Sequence, residues 1–223
     1  MQYWYRQLIQ IISLIYYIYI VLIIGFVPAI ISIFKEKSNS LKAVSPFLWL
    51  TAFASLYELI ISLLLRLDVS FWLIFYEVIS FVFLSFFYIK TFNRQFFKII
   101  FSFYCLIIFG LLFFLFLRDK HNNLELQVYT SPIILIMVLV FTFLWFRKIY
   151  LAMEIPILFK ESSFYYISAF FLYYTSTFFL FLLSDFLFRS DPTSFSDYWI
   201  LNVVATFIFR ILLSIGVWME PRK

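Results

Sequence analysis

Glu58 falls near the middle of an apolar stretch of membrane length, Pro46 to Leu65, and shares one helical face with Thr51, Ser55, Ser62 and Arg66. A carboxyl group at that depth costs a few kcal/mol or more, so it must face a protein interior or a wet cavity, and it is a functional candidate by default. The polar positions 51, 55, 58, 62 and 66 are separated by 4, 3, 4 and 4 residues, which confines them to one narrow stripe of an α-helix. A looser stripe near the C-terminus carries Asn202, Thr206, Arg210 and Ser214, each four apart, and a third stretch contributes Glu77 with Ser80 close behind. Rise along a helix puts Glu58 ~12 Å, Glu77 ~10 Å and Arg210 ~18 Å from the outer ends of their spans. Helical side chains lean towards their own N-terminus, so Glu58 on an outward-running helix and Arg210 on an inward-running one lean towards each other. The chemistry this allows is a buried Glu58–Arg210 pair with Glu77 as a second acid, the two acids holding one proton between them. Such a centre can bind a ligand or ion, carry a proton, or simply hold helices together, as Ser, Thr and paired charges do in many membrane bundles.

Other chemistries find no residues. The only histidine, His121, and the only cysteine, Cys105, cannot build a zinc centre. Glycines at 25, 110 and 216 form no phosphate-cradling loop, and no Ser/His pairing exists within the apolar stretches. The last stretch has Arg210 as its sole cation and therefore no lysine for a retinal Schiff base. No catalytic residue, metal or cofactor is expected, and an acid-pair hydrolase built on Glu58 and Glu77 is a minor reading. Asp185 and Arg189, four apart, read as an interfacial ion pair, Arg66 as a side chain snorkelling to the outer headgroups, and Asp197 as the N-cap region of the last helix.

The elements that must position these groups follow from composition. Of 223 residues, 65% are hydrophobic and 13% charged, against ~45–50% apolar in a soluble domain. The fold class expected is all-α, a polytopic membrane protein forming one domain over 1–223. A crossing helix needs ~20 apolar residues. Seven such spans are read at 8–34, 46–66, 70–90, 97–117, 129–147, 163–188 and 198–218, the fifth being the shortest. The first is too long for a signal peptide's apolar core and has no small-residue cleavage site, so it is expected to remain as a span, tilted or bent at Gly25 and Pro28. The short link from Leu67 to Val69 makes the second and third spans antiparallel neighbours.

Alternate loops carry unequal positive charge. Arg6, Arg66, Arg118, Lys120 and Arg189 fall on the amino-terminal side; Lys35, Lys37, Lys42, Lys90, Arg94, Lys98, Arg147, Lys148, Lys160, Arg222 and Lys223 fall on the other. The positive-inside rule then places the N-terminus outside and the C-terminus in the cytoplasm, in the inner (cytoplasmic) membrane of a cell. The net charge of +5 is explained by this topology, so no direct nucleic-acid partner is expected. The partners expected are the lipid bilayer and, through short basic loops, a cytoplasmic protein or a second copy of the chain.

Several segments carry a likeness: Leu56-Tyr57-Glu58 late in the second span, Phe71-Trp72 and Tyr76-Glu77 in the third with Tyr88 at its end, the small and aromatic run Ser168 to Leu183, Trp199, and Ile215-Gly216-Val217-Trp218. In these the chain resembles an uncharacterised family of small seven-span membrane proteins of Bacteroidota-type bacteria. It departs from that pattern where the family often has an acid in the fifth span and an Asn in the sixth; here those regions read Ser131-Pro132-Ile133 and Thr175-Ser176-Thr177. The resemblance implies fold and topology and no named activity. In size the chain is also similar to membrane accessories encoded beside RNA-targeting CRISPR nucleases. The functional expectation is a non-enzymatic membrane protein with a sensing, signalling or defence-accessory role, acting through a polar cluster in the bundle. The alternative is an ion or proton channel or small transporter with Glu58, Glu77 and Arg210 lining the path.

Overall fold

In a computed structural model of the chain, the described residues are 16–65, 70–92, 102, 104–107, 109–110, 123–152, 158–190 and 192–222. At some helical positions, including 62, 181–190 and 192–199, the description covers the backbone alone. The elements are α1 (16–24), α2 (Val27–Ile33), α3 (Asn39–Tyr57) with a π-helical continuation (Glu58–Leu64), α4 (Ser70–Phe92), α5 (104–107), α6 (Asn123–Ala152), a 3-10 turn (Leu158–Lys160), α7 (Ser162–Ser190) and α8 (Pro192–Met219). Among the described residues no strand forms, and the one β-type bridge joins Lys35 to Arg222. Five helical stretches are long and apolar enough to cross a membrane: Tyr16–Ile33, Asn39–Ile61, Phe75–Phe92, Pro132–Leu151 and Ile200–Met219. The chain is thus an all-helical protein with the helices of a multi-pass membrane protein. The 97–117 stretch falls largely outside the described residues.

Helix ends differ from the apolar boundaries because a helix does not stop where the hydrocarbon does. α3 begins seven residues before Pro46, where the Ser38 hydroxyl accepts the Leu41 amide at 3.0 Å and caps the helix. α6 begins at Asn123 rather than Tyr129 and ends at Ala152, so the stretch read as the shortest span is embedded in a 30-residue helix. α8 begins at Pro192, a residue suited to a first helical turn, which puts Asp197 inside the helix rather than in its N-cap region.

The first span is broken in two. Pro28 has no N–H to give the carbonyl of Ile24, and its ring crowds that carbonyl, so α1 stops and α2 restarts after Gly25 and Phe26. The Gly25 amide shares the carbonyls of Val21 and Leu22 at 3.1 Å each. The second span changes winding at Glu58: the Leu65 amide reaches the Ile60 carbonyl, five residues back, at 2.9 Å. Just before the change, Thr51 and Ser55 turn their hydroxyls onto the carbonyls of Leu48 and Thr51, at 2.8 and 2.9 Å, a back-bonding that weakens the regular ladder. The narrow α-helical stripe expected from the spacing therefore does not persist beyond Glu58 among the described residues; the looser winding turns positions 59–64 away from it.

The helices close a ring in which α2 packs on α8, α8 on α7, α7 on α6, α6 on α4, α4 on α3, and α3 back on α2. Its interior is aromatic. Phe47, Phe87, Phe170 and Phe209 are buried and meet mostly edge to face, with Phe47 and Phe170 centroids 4.9 Å apart at 79°. Such pairs add ~0.5–1.5 kcal/mol each beyond area burial. That matters in lipid, where helices gain no hydrophobic advantage by leaving hydrocarbon and packing must supply the affinity. Outward faces carry Trp49, Phe53, Phe143 and Ile208, side chains suited to acyl chains.

Candidate functional site

The break in the first span is built around Arg210. Its guanidinium reaches from α8 to donate to the Val21 carbonyl at the end of α1, and only 6% of the residue is exposed. Gly25 makes this approach possible. A methyl group there would collide with the Ser55 hydroxyl and lie 2.9 Å from the Arg210 guanidinium carbon. Ser55 is buried against this point from α3, and Thr51, one turn before it, is buried too.

Glu58, one turn beyond Ser55 and at the first position of the π-helix, is the opposite charge that acts on Arg210. Two tyrosines complete the set. Tyr76 from α4 and Tyr173 from α7 interact electrostatically with each other and with both Glu58 and Arg210. Four helices therefore bring one acid, one guanidinium and two phenols within electrostatic reach of one another, and the guanidinium joins them to the interrupted backbone of a fifth. A buried charge that loses its partner costs ~3–5 kcal/mol, so the set is held together by mutual need.

The residues singled out by spacing are placed as follows. Arg210 and Ser55 meet at Gly25, and Glu58 acts on Arg210 from one turn further along the second span. Glu77 acts on Tyr173, the phenol that also feels Glu58 and Arg210, and on Tyr174 beside it. Thr206 and Asn202 lie one and two turns before Arg210 on α8; both are half-buried, and the Asn202 side-chain oxygen is enclosed without a hydrogen bond. Ser214 turns its hydroxyl back onto the Arg210 carbonyl at 2.7 Å. The side chains of Ser62, Asp185, Arg189 and Asp197, and all of Arg66 and His121, lie outside the described residues.

A second polar cluster lies at the C-terminal end of α8. The Lys35 ammonium is buried and donates to the carbonyls of Trp218 and Glu220, with the Trp218 ring 5.5 Å away. The Glu220 carboxylate is buried too, accepting Ser40 at 2.8 Å and the Tyr166 hydroxyl at 3.3 Å. The Glu36 amide bonds the Pro221 carbonyl at 2.9 Å, and Ser162 stands 3.4 Å from Ser40. Lys35 counts as a loop charge in the sequence, and nothing local distinguishes it from Lys37.

Between the two clusters lies an apolar layer. Val44, Phe47, Leu48, Leu84, Phe87, Phe170 and Leu213 are each at most 1% exposed, and none has a polar side chain. From Tyr173 to Tyr166 along α7 this layer is seven residues, or ~10 Å, thick. Among the described residues no three His, Cys, Asp or Glu side chains come together as a metal ion would require. Compared with protein-family models, with curated proteins and with solved structures, the chain matches none.

Proposed function

We propose that this chain is a non-enzymatic seven-span protein of the cytoplasmic membrane, N-terminus outside, whose Glu58–Arg210 centre is a two-state switch. A ligand, a proton or a partner helix that competes for Glu58 loosens Arg210, and Arg210 in turn releases or holds the break in the first span. The observation that carries this reading is the bond from Arg210 to the Val21 carbonyl beside Gly25, because it ties a charged group to a point where a span is already interrupted. Irregular backbone inside a membrane is tolerated where protein buries it, and it marks elements that move. The signal would reach a cytoplasmic protein or a second copy of the chain, in a sensing or defence-accessory setting.

A second reading, a proton or ion path lined by Glu58, Glu77 and Arg210, is favoured by the same broken helix and by the π-helix at Glu58, both frequent at transport sites. The tightly packed layer below the centre argues for the switch: Phe47, Phe87, Phe170 and Leu213 fill it at no more than 1% exposure, and its buried Tyr88 and Thr142 hydroxyls face each other, leaving no continuous polar path. Flux assays on purified protein in liposomes separate the two. The switch reading expects no proton, sodium or potassium flux above empty vesicles, with Glu58→Gln changing the labelling of a cysteine placed at exposed Phe34. Wild-type flux abolished by Glu58→Gln would establish the path instead.

A further inference from the structure

The half-helix α2 lies between two grips made with α8. Before its start, across the Gly25 hinge, Arg210 of α8 holds the Val21 carbonyl of α1; at its finish Lys35 grips the last carbonyls of α8, Trp218 and Glu220. Between these points α2 packs on α8 and α3, and its own first turn, carrying Pro28, cannot continue the helix behind it. It is a short rod with a hinge at Gly25–Phe26 and a fastening at Lys35.

The fastening is more elaborate than an end cap needs. Glu220 and Lys35 are charges buried to 4% and 5% exposure at a helix end, where open water would hydrate them at no cost. Their contacts draw in four chain segments: the end of α2, the start of α3 through Ser40, the start of α7 through Tyr166, and the tail through Pro221. Gly216 lets the Tyr166 ring lie against α8, since a methyl group there would come within 2.6 Å of the ring. The contacts Lys35 makes are hydrogen bonds and charge over the Trp218 ring rather than interlocked apolar side chains, so the end of α2 can come away while the Tyr166 ring stays packed on α8.

We propose that the Lys35–Glu220 cluster is a latch that decides whether α2 can swing about the Gly25 hinge. It rests on the switch reading in one respect, that the swing is also what Arg210 governs from the other end. Closed, the latch pins α2 to α8 and seals the α2–α3 turn against the tail. Open, it frees the turn carrying Lys35 to Ser38 at the membrane surface, where a partner would read it. Phe34 lies eight residues, or ~12 Å, beyond the hinge, so a swing of ~20°, the size of an ordinary kink, displaces it by ~4 Å.

The test measures a distance in the full chain in lipid nanodiscs. Spin labels are placed at Phe34 and Phe143, both strongly exposed, with Cys105 replaced by serine. The doubly labelled protein should give one narrow distance. Lys35→Met should add a second population displaced by about 4 Å, and Lys35→Arg, which keeps a donor, should restore most of the narrow one. Ser40→Ala with Tyr166→Phe removes only the two hydroxyls on the Glu220 carboxylate and should give the same displaced population at lower occupancy; this pair serves if Lys35→Met does not fold. An unchanged distance in the folded variants would overturn the latch. Glu58→Gln separates the two ideas: displacement by Lys35→Met but not by Glu58→Gln leaves the latch standing and removes its connection to the charge centre.

Discussion

Replacing Gly25 with alanine should destabilise the folded protein by about 3 kcal/mol, and adding Ser55→Ala should return about half of that loss. The new methyl overlaps the Ser55 hydroxyl and sits 2.9 Å and 3.0 Å from the guanidinium carbon and Nη1 of Arg210. Ser55 is fully buried and already bonded to the Thr51 carbonyl, so its hydroxyl has nowhere to turn. Overpacking of this kind costs ~1–3 kcal/mol. Pushing Arg210 off the Val21 carbonyl weakens a charge-assisted bond worth ~1.5–3 kcal/mol. Against these, alanine restricts the unfolded chain and gives back ~0.4–1 kcal/mol. Ser55→Ala removes the worst overlap but leaves the contact with Arg210, hence the partial return. The measurement is unfolding in mixed micelles at rising SDS fraction, followed by tryptophan fluorescence, for wild type, both single variants and the double. A Gly25→Ala protein within about 0.5 kcal/mol of wild type, the range of an indifferent surface change, would refute the close approach of the three groups. So would a double variant less stable than Gly25→Ala alone.

Other expectations come from the same contacts. Glu58→Gln and Arg210→Gln should each cost about 3–5 kcal/mol by stranding the remaining charge, and the double variant should cost less than their sum; strict additivity in the same unfolding assay would show that the two are not paired. Phe170→Ala should cost about 3–5 kcal/mol and, by opening the apolar layer, raise the proton leak of liposomes carrying the protein; a folded variant as tight as wild type would mean that the barrier lies elsewhere. At the other end of the bundle, Tyr166→Phe loses one hydroxyl contact to Glu220 and should cost about 1 kcal/mol, whereas Gly216→Ala drives a methyl into the Tyr166 ring and should cost about 2 kcal/mol. Reversal of that order on thermal unfolding would contradict the packing of α7 on α8.

Much of this was legible before any coordinates. Glu58 and Arg210 announce themselves because charge in an apolar run is expensive wherever the chain folds. Gly25 and Pro28 mark the bend for a similar reason: one lacks a side chain and the other an N–H, and both deficits are local. The tyrosines were not legible. Tyr76 and Tyr173 are two among 16, and in a chain that is 25% aromatic only the packing of α4 and α7 tells a phenol at the charge centre from one facing lipid. Lys35 and Glu220 look like surface charge, being 185 positions apart, and they become a buried cluster only because the end of α8 returns to the start of α3.

Composition and the spacing of polar residues along apolar runs determined that this is a helical protein of the membrane and that Glu58 needs a partner inside it. Those are properties of short windows, since the costs of burying charge and of leaving peptide groups unbonded in hydrocarbon fall on each residue separately. Tertiary structure decided which partner and with what effect. The winding of the second span changes at Glu58, Arg210 takes hold of a backbone carbonyl in the broken first span, and an aromatic layer divides two polar clusters. These depend on six helices closing a ring, where each contact is set by the shapes of side chains far apart in the chain.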